Sequence, residues 1–312
     1  MNILIVGSGS IATKHKKNIE FHGHHAFFLK DLLKNKNKKE SYILNFYESI
    51  LGSYDAVIIA NASNQHFQYA KIALNHAKKI YLEKPPCLSS AELNELINLS
   101  KKYKNPVPIG FQLRFSKGIN RLKQLAQKDR KNIIAFDIHV GQNLNQWRKG
   151  GINKNSYYAN KKSGGGVLYE LCHEIDIAMW IFGIPKSFIY QLSNLSNQDM
   201  DIDDFFHSVW QFKNMNGIVH MDMINPVYER YIDITFTDYK LLWDIHSDSV
   251  SKINNEESII LYENKSFERQ ELLSSAILNF LSWVQKNDVW KGALLEESVP
   301  LLNFIEEIDN EK

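Results

Sequence analysis

The first hundred residues alternate between two patterns of apolar and polar positions. Short, continuously apolar runs at 2–6, 26–29, 56–60, 79–82 and 107–109 have the look of strands buried on both faces. Between them, segments reaching to 21, at about 65–77 and at about 89–103 space their apolar residues as amphipathic helices do. This alternation predicts a parallel sheet covered by helices on both faces. The later chain changes character. Runs at 209–212, 218–223, 232–236 and 241–245 read as strands with no helix-length segment between them, and Asn214-Met215-Asn216-Gly217 suits a hairpin turn. Amphipathic patterns at about 272–284 and 294–308 close the chain.

The first predicted strand runs straight into Gly7-Ser8-Gly9-Ser10-Ile11-Ala12 and then a helix. Gly7 permits a tight turn, Gly9 lets the backbone approach a pyrophosphate, and Ala12 keeps helix and strand close. The helix start, at Ser10 and Ile11, offers free N–H groups and a positive dipole end to phosphate. Placed between a strand and a helix, the motif predicts dinucleotide binding. Ligands of such sheets sit beyond the carboxyl ends of the strands. Those ends carry Asn61, then Glu83-Lys84-Pro85, then Gln112 and Arg114. The second strand ends Leu29-Lys30-Asp31. An acid there favours a free ribose 2′-hydroxyl and a base the 2′-phosphate, so NAD and NADP both remain open.

A second chemically dense stretch is GGGVLYELCHEID, residues 164–176. Three glycines predict a flexible bend, and the apolar spacing of Val167, Leu168, Leu171, Ile175, Ala178 and Met179 predicts one helix after it. On that helix Glu170, His173 and Asp176 would share a face. A histidine flanked by acids is suited to proton transfer near neutral pH. Upstream, no Asp or Glu occurs between Asp137 and Glu170, while the interval holds Arg148, Lys149, Lys154, Lys161 and Lys162 beside Trp147, Tyr157 and Tyr158. Its Gly and Asn content reads as a long loop, and its charge and rings suit an anionic substrate.

Composition narrows the classes. With 37 basic and 35 acidic residues, nothing points to a nucleic acid or a membrane as partner. The N-terminal apolar run is too short for a signal peptide or a span, and the two cysteines, Cys87 and Cys172, lack metal-ligand spacing. A cytoplasmic setting is therefore expected. His22, His24 and His25 invite a metal reading but fall in the turn opposite the strand carboxyl ends, so no metal site is expected.

Taken together, GSGSIA (7–12), EKP (83–85) and GGGVLYELCHEID resemble the glucose-fructose oxidoreductase / inositol dehydrogenase / rhizopine-catabolism (Gfo/Idh/MocA) family over essentially the whole chain. GFQLRF (110–115) and GQNLNQWR (141–148) resemble a branch whose members often serve surface-polysaccharide sugar metabolism. The resemblance implies an α/β protein. An N-terminal Rossmann dinucleotide-binding domain (1–112) would precede a C-terminal α/β domain (113–312) with a large, mostly antiparallel sheet. That second domain would carry the substrate site and mediate a homodimer or homotetramer. It further implies that Lys84 and His173 are acid–base residues, with Asp176 supporting them and Glu83 near the nicotinamide ribose. The Lys84–Pro85 bond is expected to be cis. Many relatives carry an Asp one helical turn before the histidine; here Tyr169 stands there, and Glu170 is the nearest acid.

The resulting expectation is hydride transfer between NAD or NADP and a hydroxyl or keto carbon of a sugar, one that is anionic or nucleotide-activated. Expected contacts to the cofactor come from Gly7, Gly9, Ser10, Ile11, Lys30, Asp31, Asn61, Glu83, Lys84 and Gln112. Substrate contacts are expected from Arg114, Trp147, Arg148, Tyr158 and Glu170. Two other readings share the fold: transient oxidation that enables glycosidic cleavage or elimination, and a non-catalytic dinucleotide-binding regulator. Net production of reduced cofactor separates the first alternative, and indifference to loss of Lys84 separates the second.

Overall fold

A computed structural model describes residues 1–33, 38–147, 156–196 and 200–311. Its contacts group the chain into two compact units, one of residues 1–112 with 273–312 and the other of residues 113–272. The sequence reading places 273–312 with the second domain. The structure returns that tail to the first unit, where its apolar face has a sheet to cover.

In the first unit, β1 (Asn2–Val6) leads into α1 (Ser10–Phe21), β2 (His25–Phe28) and a short α2 (Leu29–Leu32). Then come α3 (Glu40–Ile50), β3 (Ala56–Ile59), α4 (His66–Asn75), β4 (Lys79–Leu82) and α5 (Ser90–Lys102). The four strands are parallel in the order β2-β1-β3-β4. All four residues of β3 are buried, which is why its apolar run is unbroken. The predicted strand at 107–109 is reduced to two isolated bridges, Ile109 to Leu82 and Pro108 to Leu294. Ser89 caps α5 by accepting the Glu92 N–H.

The second unit opens with α6 (Lys117–Lys128), β5 (Ile133–Gly141) and α7 (Leu144–Trp147), then α8 (Val167–Glu170) and α9 (His173–Phe182). Seven strands follow: β6 (Ser187–Ser193), β7 (Phe205–Gln211), β8 (Asn216–Asp222), β9 (Glu229–Phe236), β10 (Lys240–Asp244), β11 (Ser249–Ile253) and β12 (Ser258–Tyr262). With β5 they form an eight-stranded sheet, β12-β11-β10-β9-β5-β8-β7-β6, antiparallel except where β5 runs parallel to β8. Burial alternates along the central strands. One face presents Phe136, Ile138, Phe206, Trp210, Val219, Met221, Ile232, Ile234 and Trp243, all buried, and the Phe136 ring stacks on Phe182 of α9. Asp248 fixes the start of α6, accepting hydrogen bonds from Gly118 N–H and Trp243 Nε1 and a short one from Ser116.

Two helices complete the chain, α10 (Gln270–Lys286) and α11 (Val299–Asn310). Leu273, Ile277, Phe280 and Leu281 of α10 share a buried cluster with Ile3, Ile5, Ala12, Ile58 and Tyr81 of the parallel-sheet unit. Among the described residues, no helix is long and apolar enough to cross a membrane.

Candidate active site

In the first unit the chemistry gathers at the carboxyl ends of the strands. Gly7, directly after β1, has φ +111°, and a Cβ there would lie 2.3 Å from the Ala60 carbonyl oxygen, so only glycine fits. Gly9 differs: a Cβ on it would meet nothing within 4 Å. It is the N-cap of α1, whose first N–H groups receive no side-chain cap at that position, with Ser10 and Ile11 as the opening residues. An open glycine backbone at an uncapped helix start fits a pyrophosphate. Two orphaned oxygens add to the fit. Asn61 Oδ1 and Gln112 Oε1 are buried and make no hydrogen bond among the described residues, which suits them to receive a ligand's N–H or hydroxyl. Lys30 and Asp31 lie on α2 just past β2, both exposed, so neither sign dominates there.

The EKP turn follows β4. The Lys84–Pro85 peptide bond is cis, as expected. Glu83 is buried, its Oε1 2.7 Å from Nε2 of fully buried His15 and its Oε2 accepting the Lys84 N–H at 3.3 Å. The carboxylate expected at the nicotinamide ribose is thus turned onto the protein's own helix and backbone. On the other side of Lys84, Nδ1 of His66 lies 2.8 Å from the Pro85 carbonyl oxygen, and Nε2 lies 3.3 Å from the Asn61 backbone carbonyl oxygen. Burial pushes the His66 pKa below the ordinary 6.5, outweighing the upward pull of Pro85 O, Glu83 and Asn61 O. The sequence reading missed His15 and His66. Their signal was available: each falls within the buried stripe of its helix, beside Ala12 and Ile19 in one case and Tyr69, Ala70 and Ala73 in the other.

In the second unit the glycine run is not a flexible bend. Gly164 and Gly166 hold φ of +85° and +95°, and a Cβ on Gly165 would lie 2.4 Å from the Tyr158 carbonyl oxygen. Three glycines are needed because two other stretches of backbone press on this segment: Gly165 N–H donates to Asn160 O and Val167 N–H to Asp203 O. Nor is there a single helix. α8 ends at Glu170, and Leu171–Cys172 form a tighter step, with the Glu174 N–H reaching Leu171 O, before α9 begins at His173. His173 and Asp176 share a face of α9, whereas Glu170 is the last residue of the preceding helix.

Arg114 and Asp176, read separately in the sequence, meet in the structure. The Arg114 guanidinium donates to both carboxylate oxygens of Asp176, at 3.0 and 2.6 Å, and both side chains are nearly inaccessible. Arg114 also lies over the Trp180 ring. The two residues assigned separately to substrate and to catalysis are partners in a buried bidentate pair. A second pair begins two residues earlier on α9. Glu174, not singled out in the sequence, sits 2.7 Å from Arg230, and it holds the Arg230 pKa above its ordinary value although burial works in the opposite direction. Glu170, His173 and Tyr158 are buried at the start of this segment. Trp147 ends α7, and Arg148, Lys149 and Lys154 lie outside the described residues.

A parallel-sheet unit with a glycine cradle and a lysine-bearing strand end, joined to a large-sheet unit with a histidine helix, defines a dinucleotide-dependent oxidoreductase. Two family models agree. Residues 1–111 match the model described as an oxidoreductase family with an NAD-binding Rossmann fold, and residues 123–241 match the GFO/IDH/MocA C-terminal domain. The chain belongs to the GFO/IDH/MocA oxidoreductase family and carries its NAD-binding domain.

Among curated relatives, oxidoreductase P35 of Formosa agariphila is 28% identical over 73% of this chain and 71% of its own length. Two further relatives are matched over only 54% and 48% of theirs. Among solved structures, an inositol dehydrogenase homologue from Azotobacter vinelandii, complexed with NAD+, superposes with a TM-score of 0.79. It is 12% identical, covering 98% of this chain and 93% of its own. A UDP-N-acetylglucosamine 3-dehydrogenase from Acidithiobacillus ferrooxidans gives 0.75 at 14% identity, covering 99% and 96%.

Proposed function

We propose that this chain oxidises a hydroxyl, or reduces the corresponding keto group, on a sugar that is anionic or nucleotide-activated. The observation that carries the reading is the strand-end turn in which Glu83 and Pro85 are tied to His15 and His66, holding the stem of Lys84 at the same sheet edge as the open glycine cradle. Such anchoring is what a side chain needs to meet a reacting oxygen reproducibly. The bound nicotinamide supplies the hydride acceptor or donor. In our reading Gly7, Gly9, Ser10 and Ile11 hold its phosphates, Asn61 and Gln112 offer oxygens to its polar groups, and Lys30 and Asp31 face its ribose. Lys84 hydrogen-bonds the substrate oxygen and stabilises its developing negative charge, while His173 takes or returns the hydroxyl proton. The Asp176–Arg114 pair fixes the helix from which His173 projects. Tyr158, Glu170, Trp147 and Arg148 are assigned to the substrate side.

The sugar class rests on the acid-free basic interval before Glu170 and on relatives that act on sugars. The UDP-N-acetylglucosamine 3-dehydrogenase shares the fold. A glucose-6-phosphate 3-dehydrogenase of Bacillus subtilis is 24% identical over 67% of this chain. Assembly as a homodimer or homotetramer is part of the same proposal. The test is steady-state formation of reduced cofactor from NAD and from NADP with UDP-sugars, sugar phosphates, free sugars and inositol. Preference for a charged sugar by kcat/KM supports the reading. Equal use of inositol and free sugars overturns its substrate class, and the absence of net reduced cofactor with any substrate overturns its chemistry.

A further inference from the structure

The face of the large sheet opposite α9 carries a row of rings that none of the proposed chemistry uses. At one register across four neighbouring strands stand His207 (β7), His220 (β8), His139 (β5) and Tyr231 (β9), each the direct partner of the next. The His139 ring stacks on His220 on one side and on Tyr231 on the other, with centroids 4.5 and 4.9 Å away. Two residues further along, on the same face, Asp222 pairs with Gly141, and Gly141 pairs with Glu229.

We propose that His139, His220 and Asp222 form a binding site for one divalent transition-metal ion of the zinc type. One donor atom from each lies within 4.8 Å of the others. Tetrahedral zinc with bonds of about 2.0–2.1 Å sets its donors roughly 3.3 Å apart, so the rings must swing out of their stack by rotation about χ2, a soft torsion for histidine. Two imidazoles and one carboxylate select zinc, cobalt or nickel over calcium or magnesium, which prefer all-oxygen sites.

Three features show that the site is built rather than accidental. Asp222 is buried, and its Oδ1 accepts the N–H groups of Ile224 and Asn225, which leaves Oδ2 directed at His220 Nε2, 3.0 Å away. Gly141 makes room for that carboxylate, since a Cβ there would lie 2.9 Å from Asp222 Oδ2. His139 Nε2 is buried without a hydrogen bond among the described residues, and Glu229 Oε2 stands 3.7 Å from it, in range to supply a fourth donor. When His220 Nε2 turns to the ion, its proton moves to Nδ1. That nitrogen already faces His207 Nδ1 at 3.3 Å, and the contact orients a metal-bound imidazole in the usual way.

The experiment titrates zinc chloride into chelator-stripped, full-length protein by calorimetry, with magnesium as the control ion. The wild type is expected to bind one zinc per chain and no magnesium. His139→Gln and Asp222→Asn, the latter keeping an acceptor for the two backbone amides, are each expected to weaken binding by about tenfold or more. Their metal-free melting temperatures should stay near wild type. Absence of one-per-chain binding overturns the proposal, as does binding undiminished in both variants. Zinc lost instead in His24→Gln assigns the ion to the turn at residues 22–25 and overturns it too.

Discussion

Lys84 and His173 are held in place by different physics. Around Lys84 the anchors are histidine hydrogen bonds: His15 to Glu83, and His66 to the Pro85 carbonyl oxygen. Around His173 they are buried ion pairs, Arg114 with Asp176 and Arg230 with Glu174. A buried histidine can be neutral and costs little to enclose, whereas a buried charge that loses its partner is expensive. The His66 side of the first arrangement should therefore yield gradually, with pH, and the second arrangement abruptly, on mutation.

The largest expected effect lies in the second unit. Asp176→Ala removes the carboxylate that the Arg114 guanidinium donates to twice and should cost about 3–5 kcal/mol in chemical denaturation. An Arg114→Met/Asp176→Leu double variant should recover most of that loss. If the single variant melts with the wild type, the pair is not what holds the helix.

Next comes the contrast between two glycines of the cradle. Gly7→Ala forces a Cβ into the Ala60 carbonyl and should cost about 1–3 kcal/mol as well as dinucleotide affinity. Gly9→Ala meets no protein atom, so its melting temperature should be unchanged while dinucleotide binding, followed by calorimetry, weakens. A Gly9→Ala protein that binds normally would show that the backbone there is not approached by the pyrophosphate.

A smaller effect concerns His66. Its pKa is depressed by burial, so the folded state prefers the neutral ring. The stabilisation is present above pH 6.5 and is lost as pH falls below it toward the depressed folded value. The melting temperature should decline as pH drops below 6.5, and His66→Asn should flatten part of that decline. An unchanged slope in the variant would remove His66 as the source.

Smallest of all, Cys172→Ala should leave turnover mostly intact. Cys172 is fully buried in the step before His173, so its replacement should cost about 1 kcal/mol by thermal melt. A collapse of activity without unfolding would give that sulfur a chemical role.

The same contrast explains what was legible in the sequence. The parallel sheet and its glycine cradle were, because strand, turn and helix are consecutive in the chain and their periodicities are distinct: β1 and β4 fall where the pattern put them. β11 and β12 were not, because β11 buries only Val250 fully and β12 is half exposed, so neither leaves a clear apolar alternation. Lys84 and His173 could be singled out from local motifs. The partners of Arg114, Asp176 and Glu174 could not, because those pairs join residues far apart in sequence. The break at Leu171–Cys172 was hidden as well, since the apolar spacing continues across it and only the backbone tightens. The return of residues 273–312 to the first unit depends on which sheet offers an uncovered apolar face, a property no single helix pattern encodes.

The most direct test of the account pairs two readouts on His173→Ala: dinucleotide binding by fluorescence titration, and formation of reduced cofactor with the best sugar substrate of the wild type. The account predicts binding within about twofold of wild type and hydride transfer reduced by roughly 10²–10⁴-fold, the usual contribution of a positioned acid–base group. Normal turnover in the variant would contradict it.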